Sequence, residues 1–103
     1  METWTVESAA KAIAEGDPGW EVRARETFED HLAKGKGIVI YRNEDLGHPG
    51  IGHVVAFTFG TPEAQFEGDE STLPERCPDG LMPQITGGIN WRYQKVGVIQ
   101  PTG

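Results

Sequence analysis

The chain is short of cysteine, of basic residues and of long hydrophobic runs, and each shortage excludes a class of protein. Cys77 is the single cysteine among 103 residues, so an internal disulfide framework is excluded. No apolar run approaches the roughly 20 residues that a membrane helix needs, and the first residues form no charged and then apolar leader. The sequence therefore predicts a cytoplasmic protein that does not act at a membrane.

Basic residues are outnumbered by acidic ones. Nine Lys and Arg stand against 16 Asp and Glu, which gives a formal net charge of −7. Since affinity for nucleic acid comes largely from Lys and Arg that displace counterions, direct binding of nucleic acid is disfavoured. An acidic chain can instead dock on a basic protein surface. The composition favours a protein partner with a basic surface, and a homodimer is a further alternative.

Length and patterning predict one α+β domain over residues 1–103. The apolar fraction is only 37%, but the apolar residues are clustered in periodic segments, which argues against disorder. We expect two amino-terminal helices packed on one face of a small antiparallel sheet of three to four strands.

Two helix start signals lie near the amino terminus. Thr5 can cap a first helix that ends at Gly16, and Asp17-Pro18 can start a second helix that runs to about Lys34. In the second helix, apolar side chains recur every fourth residue and predict the buried stripe. These are Trp20, Ala24, Phe28 and Leu32.

Three apolar stretches predict strands: Ile38 to Tyr41, Val54 to Phe59, and Ile89 to Ile99. The first is apolar in both phases, which predicts a strand covered on both faces. The second has one bulky phase, formed by Val55, Phe57 and Phe59, and we expect this phase to receive the Trp20/Phe28 stripe. A slip of one residue near Gln94-Lys95 in the last stretch predicts a β-bulge or two separate strands.

Residues 67–88 form a long acidic segment rich in proline and glycine. No periodic apolar pattern survives from Glu67 to Pro83, so the segment reads as a loop. Loops of this length in compact domains are functional or disordered. The sequence leaves both alternatives open, with Leu73 and Leu81 as residues that can pin the loop to the domain.

The loop between the first two strands holds the densest set of candidate ligands. His48 and His53, with Glu44 and Asp45 close by, predict a metal site that His31 or Cys77 can complete. The spacing matches no closed zinc signature, and the glycines match no phosphate-binding motif. The competing interpretation is ordinary turn chemistry, with His53 facing the core in phase with Val55.

A catalytic site is a weaker hypothesis than a binding surface. Cys77 lies beside Arg76, which can lower the pKa of a thiol, yet no local signature of a nucleophile surrounds it. We therefore predict no catalytic residue and no cofactor. A small enzyme or metal-binding protein that uses the His48/His53 loop remains the rival hypothesis.

Aromatic and acidic residues predict a binding surface instead. Trp91, Arg92 and Tyr93 stand together on the last strand, and residues of these types are enriched at interface hot spots. Trp91 and Tyr93 share one phase, and large aromatic residues in this arrangement more often belong to the core. Glu44 and Asp45 can add a negative patch for a basic partner. The leading hypothesis is a small non-enzymatic binding or regulatory module that acts through protein–protein contacts.

Overall fold

A computed structural model describes residues 3–45, 54–78, 81 and 91–102, with the backbone alone for 44–45 and 91–92. Its helices are α1 (Val6–Ala14) and α2 (Pro18–Ala33), and its strands are β1 (Gly37–Asp45), β2 (Val54–Phe59) and β3 (Trp91–Ile99). Two helices followed by an antiparallel three-stranded sheet confirm the predicted α+β class. Within the described ranges, no helix is both long and apolar enough to span a bilayer.

Helix α1 is fixed at both ends by local chemistry. Thr5 accepts a hydrogen bond from the Ser8 amide at 3.1 Å, and the Ser8 hydroxyl accepts one from the Thr5 amide at 2.9 Å, so each residue caps the other. The helix ends where Glu15 takes a left-handed backbone with φ of 49°. Ala9 and Ala10 are fully buried, and such small side chains let the helix approach its neighbours closely.

Helix α2 begins and ends as predicted, but its buried stripe is shorter. Asp17 accepts a hydrogen bond from the Trp20 amide at 3.1 Å, and Pro18 follows at the first helical position. Phe28 and Leu32 are buried, whereas Trp20 is 51% exposed, so the prediction that Trp20 is buried was wrong. Four residues turn an α-helix by about 400°, so each step moves about 40° further round and Trp20 leaves the buried face.

The sheet has the order β2-β1-β3, with both neighbours antiparallel to β1. β1 lies between the other two strands, and its side chains are buried on both faces of the sheet, which explains why it is apolar in both phases. β3 is one continuous strand whose pairing shifts by one residue: Ile40 lies opposite Gly97, and Tyr41 lies opposite Lys95. Val96 is the extra residue between them, which confirms a bulge close to the predicted slip.

The two faces of the sheet have different covers. The helices lie on one face, and the core there contains Ala9, Ala10, Phe28, Leu32, Ile38, Ile40 and Val54. The opposite face contains Val39, Tyr41, Phe57, Phe59, Leu73, Cys77 and Tyr93. The prediction that Phe57 and Phe59 meet Phe28 was therefore wrong. Alternation shows which residues share a face, but it does not say which face the helices cover.

The segment from Thr61 to Pro78 lies against the second face and includes the described part of the predicted loop. Phe66 pairs with Phe59 in an isolated parallel bridge, and a 3₁₀ turn follows at Glu70–Thr72. Leu73 and Cys77 are buried, and Arg76 forms an antiparallel bridge with Gln94. This part of the loop is ordered as a cover for the sheet. Of residues 79–88, the described one is Leu81, which packs on the same cluster.

Candidate functional site

The register of the sheet brings the predicted binding residues to one end of the β1–β3 ladder. Asp45 lies opposite Trp91, Glu44 opposite Arg92, and Asn43 opposite Tyr93. Residues almost fifty positions apart in sequence therefore become cross-strand neighbours. At this end of the ladder, the backbone places acidic, basic and aromatic residue types next to one another.

Tyr93 belongs to the core of the second face. Its side chain is 4% exposed, and burial, followed by the nearby Cys77 and Glu15 groups, raises the pKa of its phenol. Of the two alternatives for Tyr93, a core residue or a binding residue, its burial therefore supports the core residue.

Asn43 was missed by the sequence analysis. Its side chain is 5% exposed, and neither its Oδ1 nor its Nδ2 has a hydrogen-bond partner among the described residues. An unpaired buried polar group is destabilising by about 1–3 kcal/mol. The sequence offered a signal, because Asn43 shares the strand phase of Val39 and Tyr41 and therefore continues an apolar face.

The predicted metal ligands His48 and His53 lie outside the described residues. Among the side chains that the structure describes, which do not include those of Glu44 and Asp45, no group of three or more His, Cys, Asp or Glu is placed to hold a metal ion. The proposed completing ligands do not meet, because His31 lies on α2 on the helix-covered face and Cys77 is buried in the opposite cluster. Cys77 Sγ contacts the carbonyl oxygen of Pro78 at 3.8 Å.

A groove between α2 and β2 is the second feature that the sequence analysis missed. It has a volume of about 620 Å³ and is walled by α2, by Ile13 of α1 and by Ala56 of β2. Its apolar lining consists of Ile13, Trp20, Ala24, Phe28 and Ala56. The half-exposed indole of Trp20 contributes to the wall, so the residue expected in the core instead forms part of an accessible surface. We call this feature the α2–β2 groove.

Charged groups surround the α2–β2 groove. Lys34 Nζ lies 2.9 Å from Asp30 Oδ2, and this hydrogen bond holds the pKa of the Asp30 carboxyl below its usual value. Asp30 therefore remains ionised but already has a cation. Glu26 and Arg23 also line the groove, and neither forms an ion pair within the described part of the chain. Nδ1 of His31 is buried there, and no described residue forms a hydrogen bond with it.

This arrangement suits binding better than chemistry. Ligand sites combine a mainly apolar lining with a few polar groups, and the volume of the α2–β2 groove falls within their usual range of about 300–1,000 Å³. The described lining contains one hydroxyl, that of Thr27, and it donates to the Arg23 carbonyl at 2.8 Å instead of to His31 one turn further along the helix. The groove can therefore accept apolar side chains of a partner and orient them with Arg23, Glu26 or His31.

Comparisons of the chain with protein-family models, with curated proteins and with solved structures find no match. Among the residues that the structure describes, geometry gives two candidate sites, the α2–β2 groove and the end of the β1–β3 ladder.

Proposed function

We propose that the protein is a small non-enzymatic binding or regulatory module that acts in the cytoplasm through protein–protein contacts. The observation that carries the proposal is the half-exposed Trp20 in the wall of the apolar α2–β2 groove. Tryptophan is enriched among residues that dominate binding energy, particularly where a partner can exclude water from the ring.

The charge of the chain supports a partner with a basic surface. A formal net charge of −7 attracts a cationic protein over a distance and speeds the encounter, while it repels nucleic acid. Glu26 at the groove offers a carboxylate that a partner cation can pair with.

The end of the β1–β3 ladder is a second contact region within the same proposal. The pairing of Glu44 with Arg92 and of Asp45 with Trp91 supports it, because these residues form a continuous patch of backbone positions. The two regions can be separated by mutation, since they are carried by different elements of the fold.

The test is capture of a partner from lysate of the native source, followed by affinity measurement with the purified partner. The wild type is compared with Trp20→Ala and with the matched control Val22→Ala, which changes another exposed apolar residue of α2 outside the groove lining. We expect Trp20→Ala to weaken binding by roughly 30-fold or more, the size of a hot-spot effect. Val22→Ala should change the dissociation constant less than threefold.

A separate arm uses the double variant Trp91→Ala/Arg92→Ala, after circular dichroism shows that it folds. Loss of binding in this variant alone assigns the contact to the ladder end instead of the groove. If no protein binds the wild type more tightly than it binds both Trp20→Ala and the double variant, the proposed function is wrong.

A further inference from the structure

The outer edge of β2 directs unpaired backbone groups away from the sheet. In an antiparallel strand the N–H and C=O of one residue point to the same side, and successive residues alternate. The Thr58 carbonyl accepts a hydrogen bond from the Phe66 amide at 3.1 Å on the side away from β1. Ala56 and Val54 have the same phase, so their N–H and C=O groups also point outward. Within the described ranges, no strand pairs with them.

At the opposite edge of the sheet, the outer backbone groups of β3 form hydrogen bonds with another segment of the chain. On the outer side of β3, the Cys77 amide donates to the Tyr93 carbonyl at 2.9 Å, and the Lys95 amide donates to the Glu75 carbonyl at 2.8 Å. A covered edge cannot recruit another chain, whereas an open edge is a template for one. The β3 edge is covered in this way from Tyr93 to Lys95, whereas the open stretch of β2 is a place where this sheet can be extended and where the added strand would lie beside a groove.

The α2–β2 groove runs beside this open stretch. Ala56 belongs to both, because its backbone faces outward from the edge and its side chain packs on the helix-covered face and lines the groove. A strand added to a sheet lies about 4.8 Å from its neighbour, and its side chains alternate between the two faces. Every second side chain of an added strand would therefore enter the groove between Ala56 and α2.

We infer that the α2–β2 groove binds an extended peptide segment of a partner protein, which adds to β2 as a new edge strand. This inference rests on the proposed function and specifies its binding mode. The main chain of the segment pairs with Val54 and Ala56, and an apolar side chain packs against Trp20 and Phe28. Main-chain hydrogen bonds supply affinity, and the groove selects the side chain.

The segment carries a net positive charge. Asp30 is already paired with Lys34, whereas Glu26 of the groove wall forms no ion pair with the residues that the structure describes, and the whole chain has a net charge of −7. Arg23 lines the same wall and opposes a nearby cation. Neutralising Glu26 and neutralising Arg23 should therefore change the affinity in opposite directions.

A second copy of β2 fits the edge less well than a short peptide. In a two-fold pair centred on Ala56, Val54 of one copy would pair with Thr58 of the other. The Thr58 carbonyl is already taken by Phe66, and the Gln65 amide donates to the Thr58 hydroxyl at 3.2 Å. A pair centred on Val55 would use only Val54 and Ala56, but it would bring together two chains that each carry a net charge of −7, and this repulsion favours a cationic peptide over a second copy.

The experiment selects dodecapeptides from a random phage-displayed library on the wild type and synthesises the strongest binder. Hydrogen exchange by NMR then reports the Val54 and Ala56 amides with and without saturating peptide. We expect their exchange to slow at least tenfold. Two N-methylated versions of the peptide, blocked at alternate amides, serve as matched controls. The version blocked on the β2 side should lose at least tenfold in affinity, and the other less than threefold.

Charge variants provide a second readout. Glu26→Gln should weaken binding of the selected peptide and reduce its salt dependence, whereas Arg23→Gln should strengthen binding. A peptide that contains no more basic than acidic residues contradicts the predicted charge of the segment.

Each contrary outcome overturns a stated part of the inference. Equal effects of the two N-methylated peptides, or unchanged exchange at Val54 and Ala56, exclude strand addition, while a partner protein that needs Trp20 leaves the proposed function standing. Failure to enrich any peptide on the wild type over Trp20→Ala also rejects the peptide mode. Slowed exchange that depends on protein concentration alone, with a dimer mass in ultracentrifugation, assigns the edge to a second copy.

Discussion

The two faces of the sheet are both apolar, yet one is covered by helices and the other by the segment from Thr61 to Pro78, which we call the irregular segment. The helix-covered face is built from aliphatic strand residues under small helix residues, such as Ile38 and Ile40 under Ala9 and Ala10. The opposite face is aromatic. Tyr41, Phe57 and Phe66 contact one another with ring centroids 6.1–6.4 Å apart, two of the three pairs edge to face.

The difference follows from how each cover satisfies its own backbone. A helix pairs its N–H and C=O groups internally, so it needs only side-chain packing to stay in place. An irregular segment must find partners elsewhere. Here the Tyr41 hydroxyl donates to the Pro74 carbonyl at 2.8 Å, and Cys77 and Glu75 bond to β3. The aromatic face thus combines packing with several specific anchors. The helix-covered face depends mainly on packing, with the Thr102 amide donating to the Leu32 carbonyl at 3.3 Å and the Arg42 guanidinium 5.4 Å from the centroid of the Trp4 ring.

The largest effect should come from truncating the core under the helices. Phe28→Ala removes a buried ring and should lower the free energy of unfolding by about 3–5 kcal/mol, measured by urea denaturation. Leu73→Ala on the opposite face should have a smaller global effect, because the irregular segment can open without unfolding the helices. Faster hydrogen exchange confined to the Cys77 and Lys95 amides would mark that opening. Equal global losses with no local opening would show that the two faces unfold as one unit.

A glycine lies under an aromatic ring on each face, and the two positions should differ in how well they tolerate replacement by alanine. A Cβ at Gly37 would lie 2.3 Å from the Phe59 ring, and one at Gly97 would lie 2.0 Å from Cδ1 of Trp4. Phe59 is 3% exposed and has no room to move, whereas Trp4 is only partly buried. Gly37→Ala should therefore destabilise by about 1–3 kcal/mol, and Gly97→Ala by less. The melting temperatures of both variants test the order, and a larger loss for Gly97→Ala would reverse it.

Alkaline pH should loosen the aromatic face selectively. Burial, and then the neighbouring Cys77 and Glu75 groups, raises the pKa of Tyr41 from 10.0 to about 12. Because the folded value lies above the unfolded one, the associated stability is complete below pH 10 and is lost as pH rises toward 12. A shift of this size corresponds to a change on the order of 2 kcal/mol.

The matched variant for this prediction is Tyr41→Phe, which keeps the ring but removes the hydrogen bond to Pro74. It should lower stability at pH 7 by about 0.5–1.5 kcal/mol and flatten the decline above pH 10. Urea denaturation at pH 7 and pH 11 measures both effects. An unchanged decline in the variant would assign the alkaline transition to other groups, including Tyr93, whose pKa is also raised.

The smallest effect should come from the ion pair that holds the irregular segment to β3. Lys95 Nζ lies 3.1 Å from Glu75 Oε1, and the Lys95 side chain is 8% exposed against 75% for Glu75. Glu75→Gln should therefore lower stability by about 0.5–1 kcal/mol, with less dependence on salt than the wild type. Asp30→Asn is the control, because it breaks the Asp30–Lys34 pair on the exposed surface of α2 and should leave the urea midpoint unchanged.

Local signals in the sequence were enough to predict the elements and their class. Thr5 and Asp17-Pro18 marked the helix starts, and the two apolar phases of β1 indicated its central position. These features depend on neighbours within a few residues, so the sequence contains them directly.

Long-range geometry was beyond the sequence in three places. The fourth-residue spacing that joined Trp20 to Phe28 drifts around the helix, and this drift decides whether a side chain lies in the core or in a groove. The alternation of Val54 to Phe59 divides the side chains between two faces, but it does not say which of the two faces the helices cover. The α2–β2 groove depends on an open strand edge, and no local pattern shows whether an edge will be paired.

Because Cys77 is buried, the rate at which a reagent labels this single thiol reports how often one face of the sheet is uncovered. A maleimide or disulfide reagent can reach this sulfur only when the irregular segment lifts from β3, since the residue is 8% exposed and its amide is bonded to Tyr93. When the segment recloses faster than the reagent reacts, the labelling rate divided by that of an exposed cysteine gives the equilibrium constant for lifting. Opening of the aromatic face can thus be measured on the natural sequence, without introducing a labelling residue.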